Sequence, residues 1–299
     1  MVHVATLISN PAQALLTREA LDIARAMLPG AQEVRYLAPG IAADLTFDLP
    51  ADLTPRLLAD RIRAALGTRA LDVVVQPCAD RRKRLLVADM DSTMIGQECI
   101  DELADVIGIK DHVAAITERA MRGEIAFEPA LRARVALLKG LPLHKISQVM
   151  AERIHLTPGG PELVATMKAH GAFTALVSGG FTLFTNPVAA LIGFDENHAN
   201  ILELDGDVLA GRVREPILGR DAKTMRLIEL RDRLHVSAPQ TLAVGDGAND
   251  LGMLDEAGLG VAFHAKPKVA EAAHARIDHG DLTALLFMQG YGREDFRHP

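Results

Sequence analysis

The stretch RLLVADMDSTMIG, residues 84–96, decides the fold. Leu85-Leu86-Val87-Ala88 is a short apolar run of the kind that forms a strand buried on both faces. It ends in Asp89, and Asp91 follows two residues later. Carboxylates at the end of a buried strand are costly unless something positive sits among them.

Beyond residue 84 the same rhythm recurs. FTALVSGG, TLAVGDG and LGVAF are short apolar runs that end in polar or glycine-rich turns, and PELVATMKAH and AKTMRLIELRDRL between them have helical spacing. Strands alternating with helices predict an α/β fold, a doubly wound parallel sheet. Ligands of such sheets bind beyond the carboxyl ends of the strands. Asp89/Asp91, Ser178 and Asp246/Asp250 should therefore converge. Residues 97–155 interrupt the alternation with an almost wholly helical block, expected to form a cap over the sheet edge. ILELDGDVLAGRV turns at Asp205-Gly206 and reads as a β-hairpin.

Upstream, VHVATLI, EVRYLAP, ADLTFDLP and LDVVVQP read as strands, with PAQALLTREALDIARAML and TPRLLADRIRAAL as helices. The order β-α-β-β-α-β predicts a ferredoxin-like α+β unit over residues 1–78. A basic run, Arg81 to Arg84, links it to a second unit made of 84–96 and 156–299, with 97–155 as the cap. The net charge of −7 argues against nucleic-acid binding. No stretch approaches the ~18 apolar residues of a membrane span, and the N-terminus lacks the pattern of a signal peptide. Cys78 and Cys99 form no metal or disulfide motif and read as reduced thiols of a cytoplasmic protein.

Three or four converging carboxylates call for a hard divalent cation, and Mg²⁺ takes such oxygen ligands. Ser178 with Gly179 and Gly180 offers a hydroxyl and backbone N–H groups opening a helix, an anion-binding arrangement. Lys223, just after a candidate N-cap at Asp221, opposes its helix dipole unless an anion is near.

DMDST (89–93), SGG (178–180), Lys223 and GDGAND (245–250) occur in the order of the four motifs of haloacid-dehalogenase-like phosphohydrolases. ECIDELA (98–104), AMRGEIAFEPALRARVALLKGLP (120–142), VSGGFT (177–182) and AVGDGANDLGML (243–254) closely resemble the phosphoserine phosphatases of that family. The N-terminal unit resembles an ACT-type domain. The resemblance implies hydrolysis of O-phospho-L-serine through an aspartyl-phosphate, with Asp89 as nucleophile and Asp91 as proton donor and acceptor. It places Mg²⁺ on Asp89, Asp246 and the Asp91 carbonyl, with Asp250 in support. Phosphate falls to Ser178, Gly179, Lys223 and Asn249.

The rest of the substrate, an ammonium and a carboxylate, falls by the same resemblance to Glu98 and Arg134. Arg134 has independent support: at about 100° per residue it shares a helical face with Phe127, Ala130, Leu131, Leu137 and Leu138. An arginine in an apolar stripe needs an anion, a snorkelling path or a structural salt bridge. Glu98 projects onto the polar face with Glu102 and Asp105, so its role rests on the resemblance. Met121 and Phe127 either exclude water from the site or pack within the cap. For the N-terminal unit, regulation, homodimerisation, mere support and binding of an amino acid stay open. A phosphotransferase and a receiver-like binding protein are the rival readings.

Overall fold

A computed structural model of the chain describes residues 2–122 and 124–298. The N-terminal unit runs β1 (Val2–Ser9), α1 (Arg18–Ala26), β2 (Arg35–Ala38), β3 (Ala42–Asp48), α2 (Pro55–Leu66) and β4 (Leu71–Pro77). Its four strands form an antiparallel sheet in the order β2-β3-β1-β4, the ferredoxin-like arrangement. Helix α1 is shorter than its periodicity predicts. The Ser9 hydroxyl accepts the Leu15 N–H and the Asn10 side chain accepts the Ala12 N–H, holding Pro11 to Leu16 in a turn until Thr17 caps the helix.

The second unit begins with β5 (Leu85–Ala88), followed by the helices α3 (Cys99–Val106), α4 (Lys110–Met121), α5 (Phe127–Leu137) and α6 (Leu143–Glu152). Then come α7 (Gly160–Ala169), β6 (Phe173–Phe181), α8 (Thr182–Ile192), β7 (Glu196–Asn200), and the hairpin of β8 (Leu202–Asp205) and β9 (Val208–Val213). The chain closes with α9 (Arg220–Arg233), β10 (Thr241–Gly245), α10 (Leu251–Glu256), β11 (Leu259–Phe263), α11 (Pro267–Ala272), β12 (Ala275–Ile277) and α12 (Ala284–Met288). Six strands pair in parallel in the order β12-β11-β10-β5-β6-β7. All of β5 is buried: Leu86 and Ala88 pack with α7, α8 and α12, while Leu85 and Val87 pack with α9, α10 and α11. The strand order reverses between β5 and β10, which makes their carboxyl ends the expected crevice.

The helical block α3–α6 forms the cap. It leaves and rejoins the sheet through one antiparallel bridge, Ile95 with Leu156, flanked by bonds from Gly96 N–H to His155 O and Thr157 N–H to Met94 O. The β8–β9 hairpin packs on α5 and backs the cap: Leu143 N–H donates to Asp207 O, and Gly140 N–H to Leu209 O. Among the described residues no helix is long and apolar enough to cross a membrane.

The two units meet along a polar seam. Asp72, 1% exposed, accepts N–H bonds from Asp278 (2.7 Å), His279 (3.2 Å) and Gly280 (2.7 Å). Arg81 pairs with Asp44 and donates to Thr6 Oγ1 and Met288 O. Replacing Asp72 with Ala leaves three backbone donors without their acceptor, the Gly280 N–H among them buried. It should cost about 2–4 kcal/mol, read as an earlier urea transition for loss of the seam; an unchanged urea profile would show that these bonds contribute nothing net.

Candidate active site

The turn after β5 carries the first carboxylates. Met90–Met94 forms a wide turn closed by Ile95 N–H donating to Met90 O, with Ser92 at a φ of 56°. Asp89, at the strand's end, accepts its neighbour Met90's N–H at 2.7 Å. Its backbone N–H donates to Val244 O on β10, so β5 and β10 remain in register up to the site.

Lys223 Nζ lies 2.6 Å from Asp89 Oδ1 and 2.6 Å from Asp250 Oδ1, with all three residues buried. Burial alone would lower the lysine's pKa; Asp250 and then Asp89 more than reverse this, so it stays charged. Burial and then Asp250 push Asp89 well above the usual carboxylate range, against the pull of Lys223. Asp246, which accepts a 3.4 Å bond from Thr93 Oγ1, is pushed up to about 6 by burial and then by Asp250. Lys223 occupies the first turn of α9, as its position implies, but the helix is capped at Gly219 and Asp221 lies inside it.

Oxygens of Asp89, Asp246 and Asp250 lie within 4.8 Å of one another. One ammonium against three carboxylates leaves excess negative charge, and every donor is a hard oxygen. The set fits Mg²⁺. Asp250 is the least free of the three: Lys223 takes Oδ1 and the Gly247 N–H takes Oδ2 at 3.0 Å.

Asp91 reaches toward the cap. Its Oδ1 accepts the Cys99 N–H at 2.8 Å from the first turn of α3, and its Oδ2 accepts Ser178 Oγ at 3.1 Å. Ser178 lies on β6, which continues to Phe181. The SGG segment is therefore a strand end rather than the opening of a helix, and α8 starts only at Thr182. Gly180 has to be small: a Cβ there would come to 3.0 Å from both Asp91 Oδ2 and Ser178 Oγ.

On the cap side, Phe127 lies over this segment, its ring 3.6 Å from where a Gly179 Cβ would stand. Glu98 does not lie on the polar face of α3. It is the residue before the helix, with extended backbone, and accepts Ser92 Oγ at 2.8 Å. Lining the cleft, it keeps contact with solvent, yet enclosure and then Asp91 push its pKa up to about 7. Arg134 is half-buried and donates to Thr117 Oγ1 (3.3 Å) and Ala130 O (3.4 Å). Burial lowers its pKa, opposed by Asp101 and Glu98, but among the described residues it makes no ion pair. Arg132, on the opposite face, pairs with Glu128 and Glu215. Asn249 lies half-exposed in the loop between β10 and α10. The side chain of Met121 lies outside the described residues.

Sequence reasoning missed Asn200. Buried at the end of β7, it donates to Gly179 O at 2.9 Å and to Leu218 O at 3.4 Å, and accepts the Leu218 N–H at 2.8 Å. One side chain thus ties the Ser178 segment to the turn that launches the Lys223 helix. Its signal was available: a polar residue directly after Ala199, where a strand has to end beside SGG.

Residues 86–255 match the haloacid dehalogenase-like hydrolase family. The phosphoserine phosphatase of Albidiferax ferrireducens is 49% identical over 208 residues, 68% of this chain and 88% of the relative. A solved haloacid dehalogenase-family hydrolase of Salmonella enterica subsp. enterica serovar Typhi is 31% identical with a TM-score of 0.85, over 96% of this chain and 98% of that one. A probable phosphoserine phosphatase of Vibrio cholerae, solved without ligand, is 32% identical with a TM-score of 0.79, over 98% of this chain and 88% of that one. The structural likeness therefore takes in the N-terminal unit as well. With its four motifs gathered at one crevice and its sequence matching through them, the chain is an enzyme of the haloacid dehalogenase-like hydrolase family.

Proposed function

We propose that the chain is a Mg²⁺-dependent phosphoserine phosphatase of the cytoplasm, converting O-phospho-L-serine and water to L-serine and phosphate, the last step of L-serine biosynthesis. One observation carries the substrate: the cap side of the Asp89 cluster carries a carboxylate, Glu98, and an arginine, Arg134, that makes no ion pair among the described residues. Phosphoserine offers an ammonium to the first, a carboxylate to the second and a phosphate to the cluster. Guanidinium suits a carboxylate because it can donate in two parallel bonds.

Asp89 attacks phosphorus, the P–O bond to serine breaks, and an aspartyl-phosphate forms. Asp91 gives its proton to the departing serine oxygen. It then takes one from the water that hydrolyses the aspartyl-phosphate, releasing phosphate and freeing Asp89. Lys223 offsets the charge of nucleophile and phosphoryl group, and Ser178, Gly179 and Asn249 hold the phosphate. Mg²⁺, held by Asp89, Asp246 and the Asp91 carbonyl, would neutralise phosphoryl charge. Asp250 fixes Lys223, and Phe127 excludes water.

The direct test is phosphate release from O-phospho-L-serine, phosphothreonine, glycerol phosphate and p-nitrophenyl phosphate, with Mg²⁺ and with EDTA. The expected result is a metal-dependent preference for phosphoserine, lost by about four orders of magnitude or more in Asp89→Asn. Phosphate delivered to an added alcohol instead of water would mark a phosphotransferase. Arg134→Ala should lower kcat/KM for phosphoserine about 100-fold, near 3 kcal/mol, and leave an ester without a carboxylate almost unaffected. Equal losses on both would make Arg134 structural.

The cluster also dictates a pH dependence. Asp246 rises from 3.8 to about 6 on folding. The folded state therefore holds the extra proton between these values, and stability without metal falls as pH rises through that window. Mg²⁺ removes the repulsion, so it should raise Tm more at about pH 8 than at about pH 5. An equal rise at both would place the cation away from these carboxylates.

A further inference from the structure

A cavity of about 330 Å³ lies in the seam between the two units. It opens beside Pro239 and Leu259, at the amino ends of β10 and β11, the opposite edge of the sheet from Asp246. The N-terminal unit contributes the start of α2 and the end of β4, and the linker contributes Ala79 and Lys83. The wall is mainly apolar and carries no acidic side chain. A domain-interface cavity of this size, apolar with a few polar groups, is the usual form of a small-molecule site.

Lys83 is the unexplained group. It is 7% exposed, and its Nζ donates to Pro239 O at 2.7 Å. A lysine ammonium has three donors, and a buried one usually faces a carboxylate. Among the described residues Lys83 has no ion pair; Asp80 acts on it only through space. Burial pushes its pKa down to about 8. The other cations of the wall are differently engaged. Arg56 donates to Ala270 O and Ala273 O and pairs with Asp60 at 3.9 Å, and His274 accepts the Gly260 N–H on Nδ1, which leaves Nε2 as the ring's donor.

We propose that this cavity binds a small monoanion with an apolar body, a short aliphatic carboxylate by class, with Lys83 as its counter-ion. A lysine that makes no ion pair among the described residues, in a mainly apolar wall whose Arg56 is already paired with Asp60, matches one charge and a hydrocarbon tail. A dianionic phosphate would need more donors than the wall offers.

The probe is 4-methylpentanoate, titrated calorimetrically into the full chain with inorganic phosphate saturating the catalytic cleft, beside its neutral amide. The acid should bind at least about ten-fold more tightly than the amide, and Lys83→Met should abolish that difference. Ala272→Leu, which fills the cavity without touching charge, should weaken both ligands. Phosphate release by both variants verifies that they fold, and Arg134→Ala should bind the acid unchanged. Absence of heat with the acid, equal binding of acid and amide, undiminished binding in Lys83→Met, or loss in Arg134→Ala would each overturn the proposal.

Discussion

A buried ammonium held between two buried carboxylates is the constraint on which the structure depends. Lys223, Asp89 and Asp250 lie on α9, at the end of β5 and at the start of α10, and any one of them left alone in that interior would be expensive. Together they lock three elements at the crevice. The backbone is shaped around them: a Cβ on Gly245 would come within 2.5 Å of the Asp250 carboxyl carbon, so only glycine fits beneath it. The balance is incomplete. With Asp246 beside them, three carboxylates share one lysine, and burial together with the charge of Asp250 raises the pKa values of Asp89 and Asp246. The site is thus built to hold positive charge that the chain itself does not supply.

Asp91 extends this logic from the sheet to the cap. One carboxylate oxygen takes a backbone N–H from α3, and the other takes the Ser178 hydroxyl from β6. The group we propose for proton transfer is therefore oriented by both the cap and the sheet. The chain passes between sheet and cap at the bridge of Ile95 with Leu156, and the cap is tied again to the β8–β9 hairpin by the bridge of Pro142 with Val208. Any displacement of α3 alters what faces Asp91 and Glu98 together. In the mechanism we propose, substrate reading by Glu98 and proton handling by Asp91 are then mechanically one event.

The parallel sheet and the convergence of its acidic strand ends were legible because buried strands are uniform apolar runs, and topology then dictates where they end. Arg134 stood out in the sequence because a charge inside an apolar stripe violates helical periodicity, and the structure leaves it half-buried with neutral partners. Glu98 misled the same method: a 100° projection holds only within the helix, and Glu98 precedes it with a ψ of 108°. Strand β7, ENHAN, was missed because an edge strand needs no continuous apolar run, and with it went Asn200. Residues 11–16 have helical spacing, but the preceding Ser9 and Asn10 capture their N–H groups first. In each failure a local hydrogen bond or boundary outweighed a periodic pattern.

The seam between the units follows from the same competition. In the N-terminal sheet, Ala5, Leu7, Ala43, Leu45, Val73 and Val75 face α1 and α2. The alternate face carries Thr6, Asp44, Asp72 and Gln76 among Ile8, Ala42 and Val74. By period alone that second face belongs in water. It is buried instead, because each polar group has a directed partner: Asp44 has Thr6 and Arg81, Asp72 has three N–H groups, and Gln76 has Met288 O. An apolar seam of the same area would adhere in several orientations with little difference in energy. Directed bonds to buried groups penalise every orientation but one, since a misplaced contact strands charges without water. The N-terminal unit is therefore held in a single pose on α12 and the β11–β12 edge.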